Sequence, residues 1–157
     1  MTTRVGMGFD VHPFSEDADR VLVLGGVTFP GEVALSGHSD ADVVAHAAAD
    51  ALLGAAGLGD IGMHFPDTDP TLAGADSIEL LRRVAAMVRG EGWSVANVDC
   101  SVVAERPRLA DRRDAMQERL TSAVGSPVTV KGRRAEGLGA LGRGEGIACY
   151  AVALLER

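Results

Sequence analysis

Three side chains have the types and spacing to gather one divalent metal. Asp10 and His12 stand two residues apart in GFDVH. On a strand, residues two apart share a face, with side-chain origins about 7 Å apart. A carboxylate and an imidazole placed so can converge on one ion, with metal–ligand bonds of ~2.0–2.2 Å. Val11, between them, is then expected to point into the core. Such short patterns are more often incidental than functional, so the pair takes its meaning from a third residue. His46 interrupts the Ala-rich run ADVVAHAAADALLGAA, with Asp42 and Asp50 four residues to either side. Residues so spaced line one helix face. Alone, His46 reads as a core histidine satisfied by those carboxylates. Beside Asp10 and His12 it reads as a ligand with carboxylate support. Two nitrogens, one carboxylate oxygen and a fourth position left open make a set of the catalytic zinc type.

The elements that must position these residues follow from periodicity. In RVGMGFDVH, Val5, Met7, Phe9 and Val11 recur at period two, which predicts a strand that Pro13 ends. Residues 20–29 predict a hairpin around Gly25-Gly26. A helix is expected over 39–57, opened by a capping box of Ser39 and Asp42 and stopped by Gly57. It is apolar almost all round, hence buried. Residues 58–74 form a long loop carrying Asp60, His64, Asp67 and Asp69; long loops in compact domains tend to be functional. Helices over 76–89 and 110–124 alternate with strands over 95–105 and 127–133. The last segment, IACYAVALLE, reads as a strand covered on both faces. The fold class is α/β (α+β): a single domain, 1–157, with a mixed β-sheet and helices packed on one face.

Two further features bear on chemistry. His38 and Ser39 stand where the long helix is expected to begin, a place suited to an anionic group; Ser39 acting only as a cap is the plainer alternative. The run from Gly137 to Gly142 matches GxGxxG, but a strand rather than a helix follows, so a dinucleotide fold is rejected. Glu136, Arg143 and Glu145 flank these glycines.

Bulk properties narrow the partners. The chain has 157 residues and a net charge of −7. That balance argues against nucleic acid, which is held by clustered Lys and Arg. An anionic ligand must therefore meet local positive charge, from metals, helix N-termini or a few arginines. The two cysteines, Cys100 and Cys149, form no CxxC pair and read as buried, inert thiols of a reducing compartment. No signal peptide and no membrane-spanning run is expected, so the protein is placed in the cytoplasm.

GFDVH, GHSDADVVAHAAADALLGAAGLGDIGMHFPDTDP, GADS, NVD and LGALGRGEGIACYAVALL occur in order along essentially the whole chain. In this the chain resembles the 2-C-methyl-D-erythritol 2,4-cyclodiphosphate synthase family of non-mevalonate isoprenoid biosynthesis. The resemblance implies conversion of 4-diphosphocytidyl-2-C-methyl-D-erythritol 2-phosphate to the cyclic diphosphate and CMP, in a homotrimer with active sites between subunits. It implies zinc on Asp10, His12 and His46, and a second cation, magnesium or manganese, held by Glu136. His38 beside Ser39 would stabilise the transition state. Asp60, Ile61 and Gly62 would hold the methylerythritol hydroxyls. Phe65, Pro66, Asp67, Thr68 and Asp69 would line the same region. Ala104, Arg108 and Ala110 would shape the cytidine pocket of a neighbouring subunit, with Arg133, Arg134, Ala135, Ala140 and Arg143 as further substrate contacts. Phe9 and Arg143 match positions tied in the family to a central cavity.

The departures from the family pattern are local. Where the family has a threonine run before the glutamate, this chain has Lys131-Gly132-Arg133-Arg134-Ala135-Glu136. Arg134 replaces the threonine that contacts the phosphate during transfer, so it either supplies a stronger contact or obstructs by its bulk. Gly137 stands for the common lysine and Ala140 for the usual phenylalanine. Two other readings compete with the synthase: a hydrolytic phosphoesterase, which would release inorganic phosphate, and a non-catalytic metabolite- or metal-binding protein.

Overall fold

The computed structural model describes residues 1–157. Strand β1 (Thr3–Pro13) is followed by the short strands β2 (Leu22–Leu24) and β3 (Val27–Phe29), helix α1 (Val43–Ala56) and the one-turn helix α2 (Ile61–His64). After a 3-10 turn at Pro70–Leu72 come α3 (Ser77–Gly90), β4 (Ser94–Val103), α4 (Arg113–Val124), β5 (Val128–Arg133), the one-turn helix α5 (Gly139–Gly142) and β6 (Gly146–Glu156). The main sheet has the order β1-β6-β4-β5, parallel between β4 and β5 and antiparallel elsewhere. The expected mixed sheet with helices on one face is the fold found. No helix is long and apolar enough to cross a membrane.

The contact that positions the site is between α1 and β1. From Gly6 onward the even-numbered residues of β1 face the helix, and the first two of these, Gly6 and Gly8, are glycines. A Cβ at Gly6 would lie 2.0 Å from the Ala51 carbonyl oxygen, and one at Gly8 1.9 Å from that of Ala47. The strand thus lies against the helix backbone, an approach that only glycine facing alanine permits. Asp10 and His12 continue the same face and reach the level of His46.

The odd-numbered residues of β1 therefore face away from the helices, which corrects the expectation for Val11: it is 48% exposed rather than in the core. Strand β6 is likewise not covered on both faces. Ile147, Cys149, Ala151 and Ala153 are buried, while Tyr150 and Val152 are 48% and 47% exposed. Together with Val5, Met7 and Phe9 they form an apolar outer face on which no other element packs.

Helix α1 begins later than its sequence pattern suggests. Asp42, not Ser39, is its N-cap, accepting from the amides of Val44 and Ala45, both at 3.1 Å. The same fully buried carboxylate accepts from Gly25 N at 2.8 Å and Gly26 N at 2.7 Å, tying the hairpin turn to the helix start. Both glycines have positive φ, the mirror-image turn that a two-residue hairpin requires. Burial, reinforced by the charge of Asp40, pushes Asp42 up to about 6. The segment 58–74 is not a featureless loop: Asp60 and Asp69 cap α2 and the 3-10 turn within it. The glycine-rich run closes into the single turn of α5 and passes directly into β6, with no dinucleotide-type helix. Cys100 and Cys149 are free and buried, and the thiol of Cys149 is raised by its hydrogen bond with Cys100 and by burial.

Candidate metal centre and its two cavities

Asp10, His12 and His46 come together as the chain's one cluster with metal-ligating geometry. Asp10 Oδ2 lies 3.0 Å from His12 Nε2 and 3.0 Å from His46 Nδ1, and the two nitrogens are 3.4 Å apart. Tetrahedral bonds of ~2.0–2.1 Å put neighbouring ligand atoms about 3.3 Å apart, so the triangle has the size that zinc-type coordination demands. His12 Nδ1 lies 2.8 Å from the Ser36 carbonyl oxygen. A carbonyl only accepts, so Nδ1 carries the proton and Nε2 presents its lone pair to the centre. The residues fit a divalent metal.

Without a cation, protons serve in its place. Burial works to raise the Asp10 carboxyl, but hydrogen bonds from His12 and His46 outweigh it and hold Asp10 below its ordinary value. Burial works to lower His12, and the hydrogen bond and charge of Asp10 reverse this, so its imidazole is raised above 6.5.

The carboxylate support expected for His46 comes from elsewhere. Asp42 is committed to the hairpin and helix amides. Asp50 accepts from Ile61 N at 2.8 Å and so fixes the start of α2. Backbone amides of the hairpin turn and of the starts of α1 and α2 claim both carboxylates, because an N–H left unpaired away from water is costly. His46 Nε2 instead meets Ser77 Oγ at 2.7 Å and Ser39 Oγ at 3.2 Å. Neither contact was singled out from the sequence. The serine of GADS, Ser77, enters the sequence analysis only within a stretch that carries the family resemblance.

The triad opens into a cavity of about 470 Å³ that His38, Ser39, Ile61, Gly62, Phe65, Pro66 and Asp67 also line. His38 Nε2 donates to the Asp69 carbonyl at 2.8 Å, which holds the ring at the rim. The Asp69 carboxylate turns to the amide and hydroxyl of Thr71, and the Asp60 carboxylate to Met63 N. Thr68 is exposed on the turn between them. Asp60, Thr68 and Asp69 thus border the cavity rather than line it.

A second cavity, about 390 Å³, lies at the ends of β4 and β5 and shares no residue with the first. Ala104, Ala110, Arg108, Arg113, Arg133 and Arg134 line it, with Glu105 as its one acidic residue. In a chain of net charge −7, four arginines around one hollow mark a place for an anion. Glu105 Oε2 accepts from Arg134 Nε at 3.1 Å and Nη2 at 2.9 Å. That contact draws the Glu105 carboxyl below its usual range. Glu136 is exposed on the following turn, in a left-handed conformation, and does not join the triad. Ala135 is half-buried before it, Ala140 is exposed on α5, and Arg143 pairs with Glu145 at 2.6 Å.

Comparison with known proteins agrees along the whole length. The YgbB family model matches residues 3–156. The chain belongs to that family. A 2-C-methyl-D-erythritol 2,4-cyclodiphosphate synthase of Rubrobacter xylanophilus is 58% identical over 98% of this chain and 95% of its own. A bifunctional IspD/IspF enzyme of an Anaeromyxobacter species is 54% identical, the match spanning 98% of this chain and 40% of the longer one. Among solved structures, the bifunctional IspDF from Campylobacter jejuni superposes with a TM-score of 0.93 at 42% identity, covering 98% of this chain and 42% of that one. A CDP-bound 2C-methyl-D-erythritol-2,4-cyclodiphosphate synthase superposes with a TM-score of 0.87 at 36% identity, covering 98% of this chain and all of the other. Within the YgbB family frame, the departures Arg133 and Arg134 lie in the arginine-lined cavity and leave the metal triad untouched.

Proposed function

We infer that the chain is a 2-C-methyl-D-erythritol 2,4-cyclodiphosphate synthase of isoprenoid biosynthesis. It converts 4-diphosphocytidyl-2-C-methyl-D-erythritol 2-phosphate to the cyclic diphosphate and CMP. The observation that carries this is the triangle of Asp10, His12 and His46, at tetrahedral spacing, in a chain 58% identical to a protein of that name.

The reaction forms a bond between a 2-phosphate oxygen and the β-phosphorus. It breaks the bond from that phosphorus to the oxygen of the departing CMP. Nucleophile and electrophile belong to one molecule, so the protein's task is to fold the substrate into a reactive conformer, which replaces much of a bimolecular entropy cost. Zinc on the triad, with magnesium or manganese on Glu136, would polarise the diphosphate and neutralise developing charge. A single exposed carboxylate suits magnesium, which keeps most of its waters and binds through substrate phosphates.

The chain's own residues do the rest. His38 and Ser39 face the phosphate beside the triad, and Asp60, Ile61 and Gly62 take the methylerythritol hydroxyls. Phe65 to Asp69 wall that region. Ala104, Arg108, Ala110, Arg133 and Ala135 shape the cytidine end, and Arg134 aims charge-assisted donors at the diphosphate. Ala140 and Arg143 close the far side.

One substrate must occupy two cavities that share no residue within one chain. A homotrimer in the cytoplasm accounts for this, the arginine-lined cavity of one subunit completing the metal cavity of the next. The bare apolar face of β1 and β6 supports such an assembly.

Removing metal from the purified protein with a chelator should abolish CMP release, and zinc with magnesium should restore it. His46→Ala should lose zinc and activity together. Full zinc occupancy in that variant would overturn the ligand assignment, and release of inorganic phosphate in place of CMP would favour a phosphoesterase.

A further inference from the structure

The metal triad leaves one question open: what decides which nitrogen of His46 carries its proton. A histidine can ligate through Nδ1 only if its proton sits on Nε2, and an isolated imidazole takes either form. The Nε2 side of His46 faces no carbonyl. It faces Ser77 Oγ at 2.7 Å, and a hydroxyl both donates and accepts. The answer therefore lies one residue further out.

Ser77 is the first residue of α3 and is 1% exposed. Its hydroxyl also lies in short contact with Asp40 Oδ1. Asp40 is held in place from several sides. Its Oδ2 accepts from Ser77 N at 3.1 Å, its Oδ1 accepts from Asp42 N at 3.1 Å, and its own amide donates to the Ala75 carbonyl at 3.1 Å. An ionised carboxylate only accepts, so Ser77 gives its hydroxyl proton to Asp40. The Ser77 oxygen is then left with lone pairs alone toward His46, and it accepts the Nε2 proton. With a cation in place of the proton that Nδ1 shares with Asp10, Nδ1 keeps only its lone pair, directed with Asp10 Oδ2 and His12 Nε2 at one point. Ser39 Oγ, which accepts from Ala41 N at 3.3 Å, adds a longer contact to the same nitrogen and does not change the direction.

We propose that Asp40 and Ser77 are positioning residues of the metal centre, a carboxylate–hydroxyl relay that fixes His46 as the Nε2–H tautomer and aims Nδ1 at the ion. The proposal rests on the reading that the triad holds a divalent metal. It ties the start of α3 to the metal: the carboxylate that orients Ser77 also holds the first amide of that helix. It also divides the work of the two histidines. His12 is oriented by a backbone carbonyl, which no substitution removes, whereas His46 is oriented by side chains, which substitutions do remove.

The test has two parts. In the unmodified, zinc-loaded protein, long-range nitrogen–proton spectra of labelled histidine should show His46 with a hydrogen-bonded proton on Nε2 and none on Nδ1; ligation through Nε2 instead would overturn the relay. Zinc affinity is then measured by competition with a chromophoric chelator. Ser77→Ala should weaken zinc binding by roughly 10–100-fold, the usual effect of losing such an outer partner, with the far-ultraviolet circular dichroism unchanged. Asp40→Asn should weaken it less, because one amide oxygen can still accept from the hydroxyl. Zinc binding by a folded Ser77→Ala protein equal to that of the unmodified one would refute the proposal. Failure of the unmodified protein to bind zinc would instead refute the metal reading beneath it. The histidine spectra decide the matter even if Ser77→Ala does not fold.

Discussion

Protons and a metal compete for the same atoms at Asp10, His12 and His46. Asp10 raises the His12 imidazole, and a protonated imidazole cannot ligate. Zinc affinity should therefore be full above the raised His12 value and fall as pH drops through it. Asp10, whose carboxyl is lowered, stays ionised through that range. The sign for folding is the reverse. The His12–Asp10 pair stabilises the metal-free fold fully below the ordinary histidine value, and this contribution is lost as pH rises through the raised one. Thermal melts of the metal-free protein should thus decline across the upper histidine range, while melts of the zinc-loaded protein should not. Identical pH profiles for the two forms would contradict this account. Arg134 poses a separate question at the same scale. A hydrogen bond to a charged group is worth about 1.5–3 kcal/mol, so Arg134→Thr should lower kcat/KM by roughly 10–100-fold. A rise would mean that its bulk obstructs the diphosphate.

Between elements, the deciding contact is strand β1 against helix α1. A methyl group at Gly8 has no room beside the Ala47 carbonyl. Gly8→Ala should cost about 3 kcal/mol, at the upper end of ordinary overpacking, and should separate His46 from Asp10. A urea midpoint and zinc affinity both unchanged would refute this. The strand, the Ala-rich helix and the Gly25-Gly26 hairpin were legible in the sequence, because periodicity and turn chemistry are local. The triad was legible for the same reason: a period-two pair and one histidine in an apolar helix. What surrounds it was not. Asp42 looked like support for His46, yet its carboxylate is claimed by four amides, two of them from a hairpin distant in sequence. Ser77 stood in the sequence only within GADS, inside the helix expected over 76–89, and only the packing of α3 beside α1 brings it to His46. Periodicity also cannot tell which of two alternating faces is inward when both are apolar or small. Gly6 and Gly8 took the inner face of β1 from Val5, Met7 and Phe9 because the helix comes too close for a side chain.

For the whole molecule, the proposed assembly makes a testable demand on the apolar face of β1 and β6. Tyr150 stacks against Phe9 with ring centroids 4.9 Å apart, and Val152 continues the same surface. If this face joins subunits, Val152→Lys places a charge where it must be desolvated. The variant should sediment as a monomer and lose CMP release while retaining zinc. A trimer of full activity would show that the face serves another purpose. The overall charge fits the same view: a chain of −7 keeps its positive charge local, in four arginines around one hollow and in the metal expected at the other.

Phosphorus NMR of the purified protein with 4-diphosphocytidyl-2-C-methyl-D-erythritol 2-phosphate, zinc and magnesium shows directly whether the chain closes the ring. The substrate resonances should give way to those of CMP and the cyclic diphosphate in equal amounts, with no orthophosphate. Unchanged substrate, with zinc confirmed on the protein, would contradict the proposed function and leave a binding protein that holds its metal and ligand without turnover.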